Sequence, residues 1–204
     1  MGLRQQILQQ YGRSGLDYTA DQIKNSIQQC SHLKHKALIS FLYLTAARIE
    51  EVVKYKIKGE LIGQPINKKQ IIKTEKTLTI NYVRILKRRS KESKNKTILT
   101  RSIPISLNPK HKPDKYFTTI FLEYLKNLED EDKLWNITRQ RAHQILEKVG
   151  LFPHLLRHSR VTILVKHYDF GIPQLLKFIG WNRADTAAVY THLDVRDILQ
   201  KLEE

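Results

Sequence analysis

What is scarce in this sequence narrows its class first. A single cysteine, Cys30, leaves no intrachain disulfide and fits a reducing compartment. No apolar run approaches the ~20 residues of a membrane-spanning helix. Met1-Gly2-Leu3-Arg4 leads into a glutamine-rich polar stretch, not a signal peptide. Internal repeats and low-complexity tracts are missing. Acidic residues are few: 20 Asp and Glu stand against 36 Lys and Arg, a net charge of +16 on 204 residues. Together these features imply a cytoplasmic protein with no membrane role and a polyanionic partner, most simply nucleic acid. What is present completes the class. A hydrophobic fraction of 41% predicts a folded chain, long enough for one domain with a real core or two small ones.

The charge is concentrated. Between Lys68 and Arg101 there are twelve basic residues and two acids, Glu75 and Glu92. The segment reads either as a solvated lysine-rich loop or as a phosphate-binding edge. Residues 1–18 read as a polar arm or linker remnant, and 19–204 as one domain. Thr19 opens the first helix, with Ile23, Ile27 and Cys30 on one face. His35 to Lys56 reads as a buried helix running into an amphipathic one. The period then changes. Leu61-Ile62, Thr77–Leu86 and Thr97–Ile105 are rich in β-branched residues and predict a three-stranded antiparallel sheet. Lys87–Lys96 is then the turn between its second and third strands.

Helices resume at Tyr116–Leu128, from Thr138 to near Val149, and from Pro153 to near Gly171. Another runs between Pro173 and Gly180, and one from Asp185 or Thr186 carries Tyr190. At the end, Val195, Ile198, Leu199 and Leu202 make an amphipathic stripe over about 194–204. The expected fold class is α+β, mostly helical, with a small three-stranded antiparallel sheet.

Two clusters carry the chemistry. Thr45-Ala46-Ala47-Arg48-Ile49-Glu50-Glu51 supplies an arginine beyond an almost wholly apolar run. A charge there needs a partner, and Glu51, at i+3, can be one. Downstream come His154-Leu155-Leu156-Arg157, then Gly180-Trp181, then Tyr190 nine positions after Trp181. In this order and spacing the pattern resembles the tyrosine recombinase (phage integrase) family, from about Thr19 to the C-terminus. The family's signature reads roughly TG-L-R-x-x-E, then H-x-x-R, then GH or GW, then Y. Thr45-Ala46-Ala47 departs from Thr-Gly-Leu; alanine suits a helix, so no loss of function is read from it.

The resemblance implies site-specific DNA breaking and rejoining through a 3′-phosphotyrosine, with neither metal nor cofactor. Tyr190 would be the nucleophile, although a phenol with a pKa near ~10 needs a base or a strongly cationic setting. Arg48 and Arg157 would clamp the nonbridging oxygens with their forked donors, with Glu51 in support. His154 would handle the nucleophile's proton or bond the phosphate. Trp181 stands where most relatives have histidine; its indole N–H only donates. A lysine in the turn between strands two and three would protonate the leaving 5′ oxygen. Lys87 fits that place, with Lys91 second. Lys68, Lys69, Arg84, Arg88, Arg89, Lys91, Lys94, Lys96 and Arg101 would contact phosphates without reading sequence.

The partners implied are double-stranded DNA and further copies of the chain, a tetramer linked through the C-terminal tail. Too few residues precede Thr19 for the N-terminal helical domain of longer relatives. That leaves a catalytic-domain fragment or a minimal enzyme, and leaves open whether Tyr190 serves its own site or a neighbour's. His154 and His158, at i and i+4, also have the spacing of a zinc pair. No Glu follows His154, the only cysteine is distant, and Arg157 would crowd a metal. Two other functions fit the pattern less well: a type IB topoisomerase-like strand transferase, and a catalytically silent DNA-binding regulator.

Overall fold

A computed structural model describes residues 19–57, 60–63, 65–85, 100–188 and 190. Helix α1 (Ala20–Gln28) begins at a reciprocal cap. Thr19 accepts from the Gln22 N–H at 3.2 Å, and the Gln22 side chain accepts from the Thr19 N–H at 2.8 Å. Its Ile23 and Ile27 are fully buried. Helix α2 (Leu33–Thr45) is buried continuously from Ala37 to Thr45. A helix apolar all round belongs at the centre of a fold, and α2 packs against helices α4 (Lys112–Lys126) and α6 (Pro153–Tyr168). Phe41 meets Phe121 and Trp135 there, and Tyr43 meets Phe117.

The helix expected over 35–56 does not run through. Thr45 ends it: its hydroxyl donates to the Phe41 carbonyl at 2.7 Å and accepts from the Ala47 N–H at 3.2 Å. Ala46 then turns left-handed at φ 48°. A short helix α3 (Ile49–Val52) follows, and then strand β1 (Tyr55–Ile57).

The three-stranded antiparallel sheet is present with a different first strand. Leu61 and Ile62 belong to β2 (Glu60–Gly63), which pairs with β1 in a separate two-stranded sheet. The larger sheet is β3 (Ile71–Lys73), β4 (Thr77–Arg84) and β5 (Thr100–Ser106), in that order. Leu78 faces Ile105 and Ile80 faces Ile103. Along β5, Arg101, Ile103 and Ile105 are buried while Ser102, Pro104 and Ser106 are exposed. The period of two therefore puts Arg101 on the same face as the apolar residues. That face packs on α2 and on helix α7 (Ile172–Ile179).

Helix α5 (Arg139–Glu147) is capped by Thr138, whose hydroxyl accepts from the Arg141 N–H at 3.2 Å. Pro153 opens α6 and Gly180, at φ 75°, closes α7. Helix α8 (Ala184–Ala188) stops short of Tyr190, which lies in the turn beyond and donates its N–H to the Ala187 carbonyl at 2.9 Å. The tail stripe and the turn lysines Lys87, Lys91, Lys94 and Lys96 lie outside the described residues, with Arg88 and Arg89. Among the described residues, no helix is long and apolar enough to cross a membrane.

Candidate active site

The site forms where the break after α2, the inner face of β5, the start of α6 and the end of α7 converge. Arg48 precedes α3 and is held by Glu51. The Arg48 N–H donates to Glu51 Oε2 at 3.0 Å, and its Nη1 lies 3.3 Å from Oε1. This is the pairing expected from the i+3 spacing. The Glu51 side chain has no exposure, whereas that of Arg48 keeps 33%. The carboxylate is buried and the guanidinium reaches outward.

Arg157, on the second turn of α6, is 7% exposed. It donates to the Ala46 carbonyl and, at 3.4 Å, to the Ile179 carbonyl. The turn at Ala46 and the end of α7 are thus both fastened by this arginine. Burial pulls its guanidinium down to about 9; Glu51 works against that, while Arg48 and Arg101 add to it. Its cationic carbon also lies 5.6 Å from the centre of the Trp181 ring.

Trp181 follows the left-handed Gly180, and its indole stacks on Tyr190, with centroids 5.6 Å apart and planes 23° from parallel. His158 meets the Tyr190 ring edge-on at 4.9 Å. The half-buried tyrosine is therefore held between an indole and an imidazole of its own chain. Sequence spacing alone offers His158 only as a zinc partner; its position one turn beyond His154 is the signal that α6 turns both toward one side. His154 is exposed in the first turn of α6.

Arg101 calls for a correction. It was expected among the surface phosphate contacts, and the structure buries it at 7% exposure. Its Nη2 lies 3.2 Å from Glu51 Oε2, and its Nη1 donates to the Ile179 carbonyl. Burial lowers its guanidinium pKa, with Glu51 opposing and Arg48 assisting. The detectable signal was its phase with Ile103 and Ile105. Lys68 and Lys69 engage the acidic loop after α4. Lys68 donates to the Leu128 carbonyl and lies 3.6 Å from Asp130, and Lys69 lies 2.8 Å from Glu131. Arg84 closes β4.

The arrangement gathers Arg48, Arg101 and Arg157 around the Glu51 carboxylate and the Ile179 carbonyl, with the Trp181–Tyr190 stack beside Arg157. The family model described as the phage integrase family matches residues 17–196. The chain is similar to the XerH site-specific recombinase bound to difH substrate in a pre-cleavage complex. The TM-score is 0.55 at 16% identity, over 88% of this chain and 50% of that one. Against XerH bound to palindromic difH substrate after cleavage the TM-score is 0.54 at 16% identity, over 95% and 54%. The XerA recombinase gives 0.52 at 18% identity, over 90% and 61%. The chain thus spans about half the length of the XerH chains. No curated protein matches it. On its sequence match and its architecture, the chain belongs to the phage integrase family and carries the fold of a tyrosine recombinase catalytic domain.

Proposed function

We propose that this domain cuts and rejoins duplex DNA at specific sites, with Tyr190 as the nucleophile. The observation that carries the reading is the position of Tyr190, stacked on Trp181, which in turn lies under the Arg157 cation. The Tyr190 oxygen attacks the phosphorus, the P–O5′ bond breaks, and a 3′-phosphotyrosine forms. The phenol proton passes to His154, and the departing 5′ oxygen takes a proton from a lysine of the 86–99 segment, Lys87 first and Lys91 second. A 5′-hydroxyl from another strand reverses the step. The ester bond to Tyr190 keeps the energy of the broken bond, so no nucleotide is consumed.

Arg48 and Arg157 stabilise the charge that builds on the nonbridging oxygens. The basic residues between Lys68 and Arg101 that face solvent contact backbone phosphates, and the working complex is a tetramer on DNA joined through the 194–204 tails. The place of action is the cytoplasm of a prokaryotic cell or of the host of a mobile element. XerH, in its complexes with a difH substrate before and after cleavage, supports DNA as the substrate.

The test starts from duplexes selected by binding from a randomised pool and then nicked so that cleavage cannot reverse. Wild-type protein should form a denaturant-resistant protein–DNA adduct without added metal. Tyr190→Phe should bind the same duplex and form none. An adduct in the Phe variant would overturn the assignment, and a wild-type protein that binds without cutting would make the chain a DNA-binding regulator.

A further inference from the structure

We infer that Arg101 is the positioning residue shared by both phosphate-binding arginines, holding Glu51 behind Arg48 and the Ile179 carbonyl behind Arg157. The inference rests on the strand-transfer reading and deepens it. Arg101 comes from the sheet, on the strand that follows the 86–99 segment, whereas the groups it orders come from the helices. One side of its guanidinium meets Glu51 Oε2 at 3.2 Å, the same oxygen that accepts the Arg48 N–H at 3.0 Å. The other side donates to the Ile179 carbonyl, which also accepts from Arg157 Nη2 at 3.4 Å. A single planar fork therefore fixes two acceptors, and each acceptor holds one of the reactive arginines. Lysine, a point charge on a flexible stem, can satisfy one of these acceptors but does not reproduce the fork.

Gly180 sits against the same contact. At φ 75° it ends α7, and a Cβ built there would come 2.5 Å from Arg101 Nη1 and 3.2 Å from the Ile85 side chain. The left-handed backbone alone favours glycine at this position. The approach of Arg101 adds a second reason: the guanidinium occupies the space a side chain would take. The glycine before Trp181 thus makes room for the arginine that orders the site, as well as ending the helix.

Arg101 does not touch the reacting atoms in this account, so its removal must act through Arg48 and Arg157. Those two act on the negative charge of the scissile phosphate. A nicked duplex with a methylphosphonate at the scissile position replaces one nonbridging oxygen by a methyl group and removes that charge. Single-turnover adduct formation is measured with wild type, Arg101→Met and Arg101→Lys on both substrates, with duplex binding measured alongside. Arg101→Met should bind DNA like wild type and cut the ordinary phosphate about 100-fold more slowly, the scale expected when catalytic groups shift by about 1 Å. The deficit should shrink to within about 10-fold on the neutral substrate, where less anionic charge needs stabilisation. Arg101→Lys should fall between the two proteins and narrow in the same way, and it carries the test if the Met variant does not fold. Wild-type rates for Arg101→Met on the ordinary phosphate would overturn the inference. An equal deficit on both substrates would overturn it too, because general loosening of the fold does not distinguish them. Failure of the wild-type protein to form an adduct on either substrate would strike the strand-transfer reading itself, and this inference with it.

Discussion

Helix α6 carries two arginines three residues apart, Arg157 and Arg160, each 7% exposed, and their surroundings are opposite. Arg160 faces Asp114 on α4 and donates to its Oδ2. Tyr168 donates to the same oxygen at 2.7 Å. Tyr43 donates to Oδ1 at 2.9 Å, and His111 Nδ1 lies 3.0 Å from Oδ1. Burial works against the Arg160 charge, yet Asp114, Tyr43 and Tyr168 together hold its pKa above the ordinary value. Arg157 has only backbone carbonyls as hydrogen-bond acceptors among the described residues, and burial brings it down to about 9. One buried cation is neutralised within the fold. The other has Glu51 nearby but no carboxylate bonded to it, remains charged at neutral pH and is costly to keep there. In the proposed reaction a bound phosphodiester supplies a directly bonded anion. Burial therefore does not separate structural from functional arginines here; the partner does.

Breaking the internal pair should give the largest effect. Arg160→Met leaves Asp114 buried without its cation, and removing one member of a buried pair costs about 3–5 kcal/mol. Denaturant unfolding should show that loss, and Arg160→Met with Asp114→Leu should recover part of it. The pH dependence has a definite sign. Burial pushes the Asp114 carboxyl up, but Arg160 and the bonds from Tyr168, Arg160 and His111 outweigh it and leave it below the ordinary carboxyl value. A depressed carboxyl contributes stability above its unfolded pKa and loses it as pH falls through the folded one. Acid unfolding should therefore be shallower in Asp114→Asn, from a lower starting stability. If Arg160→Met unfolds at the wild-type denaturant concentration, the pair is not what holds α4 to α6.

The same substitution at the other arginine should divide the effects the opposite way. Arg157→Ala removes a cation whose charge opposes folding below about 9, so the loss of its two carbonyl contacts is partly offset. Its stability should change less than that of Arg160→Met. Cleavage should fall about 10²–10³-fold, the usual loss of one preorganised transition-state donor, or about 2.7–4 kcal/mol. Adduct formation and unfolding measured on the same preparations decide the matter. Equal destabilisation by Arg157→Ala and Arg160→Met would erase the distinction between the two arginines.

How much of this was legible in the sequence follows from the range of each interaction. Caps and stops are local, so Thr19, Thr138, Pro153 and Gly180 mark their helix ends directly. Arg48 and Glu51 lie one helical turn apart, so their pairing was readable as well. Ile71–Lys73 was missed because three residues are too few to show a period. Arg101 was misplaced because a charged residue normally faces water, and only its phase with Ile103 and Ile105 argued otherwise. Its partners Glu51 and Ile179 lie 50 and 78 positions away, beyond any local pattern. The Arg160–Asp114 pair spans 46 positions and was invisible for the same reason.

The smallest expected effect concerns Ala46, which aims its carbonyl at Arg157. At φ 48° an L-residue with a Cβ bears a steric cost of about 1–2 kcal/mol that glycine escapes. Two terms oppose the relief. Ala46 is fully buried, and deleting its methyl forfeits about 0.8 kcal/mol of apolar burial. A glycine also enlarges the conformational freedom of the unfolded chain, worth about 0.4–1 kcal/mol. The terms nearly cancel, so Ala46→Gly should change unfolding stability by less than about 0.5 kcal/mol. Cleavage should persist, because glycine reaches the same left-handed turn and leaves the carbonyl on Arg157. This explains how the chain carries alanine where the family signature has glycine: the turn is kept and the strain is balanced by packing. A variant that unfolds like wild type but cuts at least 10-fold more slowly would show that the alanine stiffens the Arg157 acceptor. The turn would then act together with Arg157, and its effect would not be purely conformational.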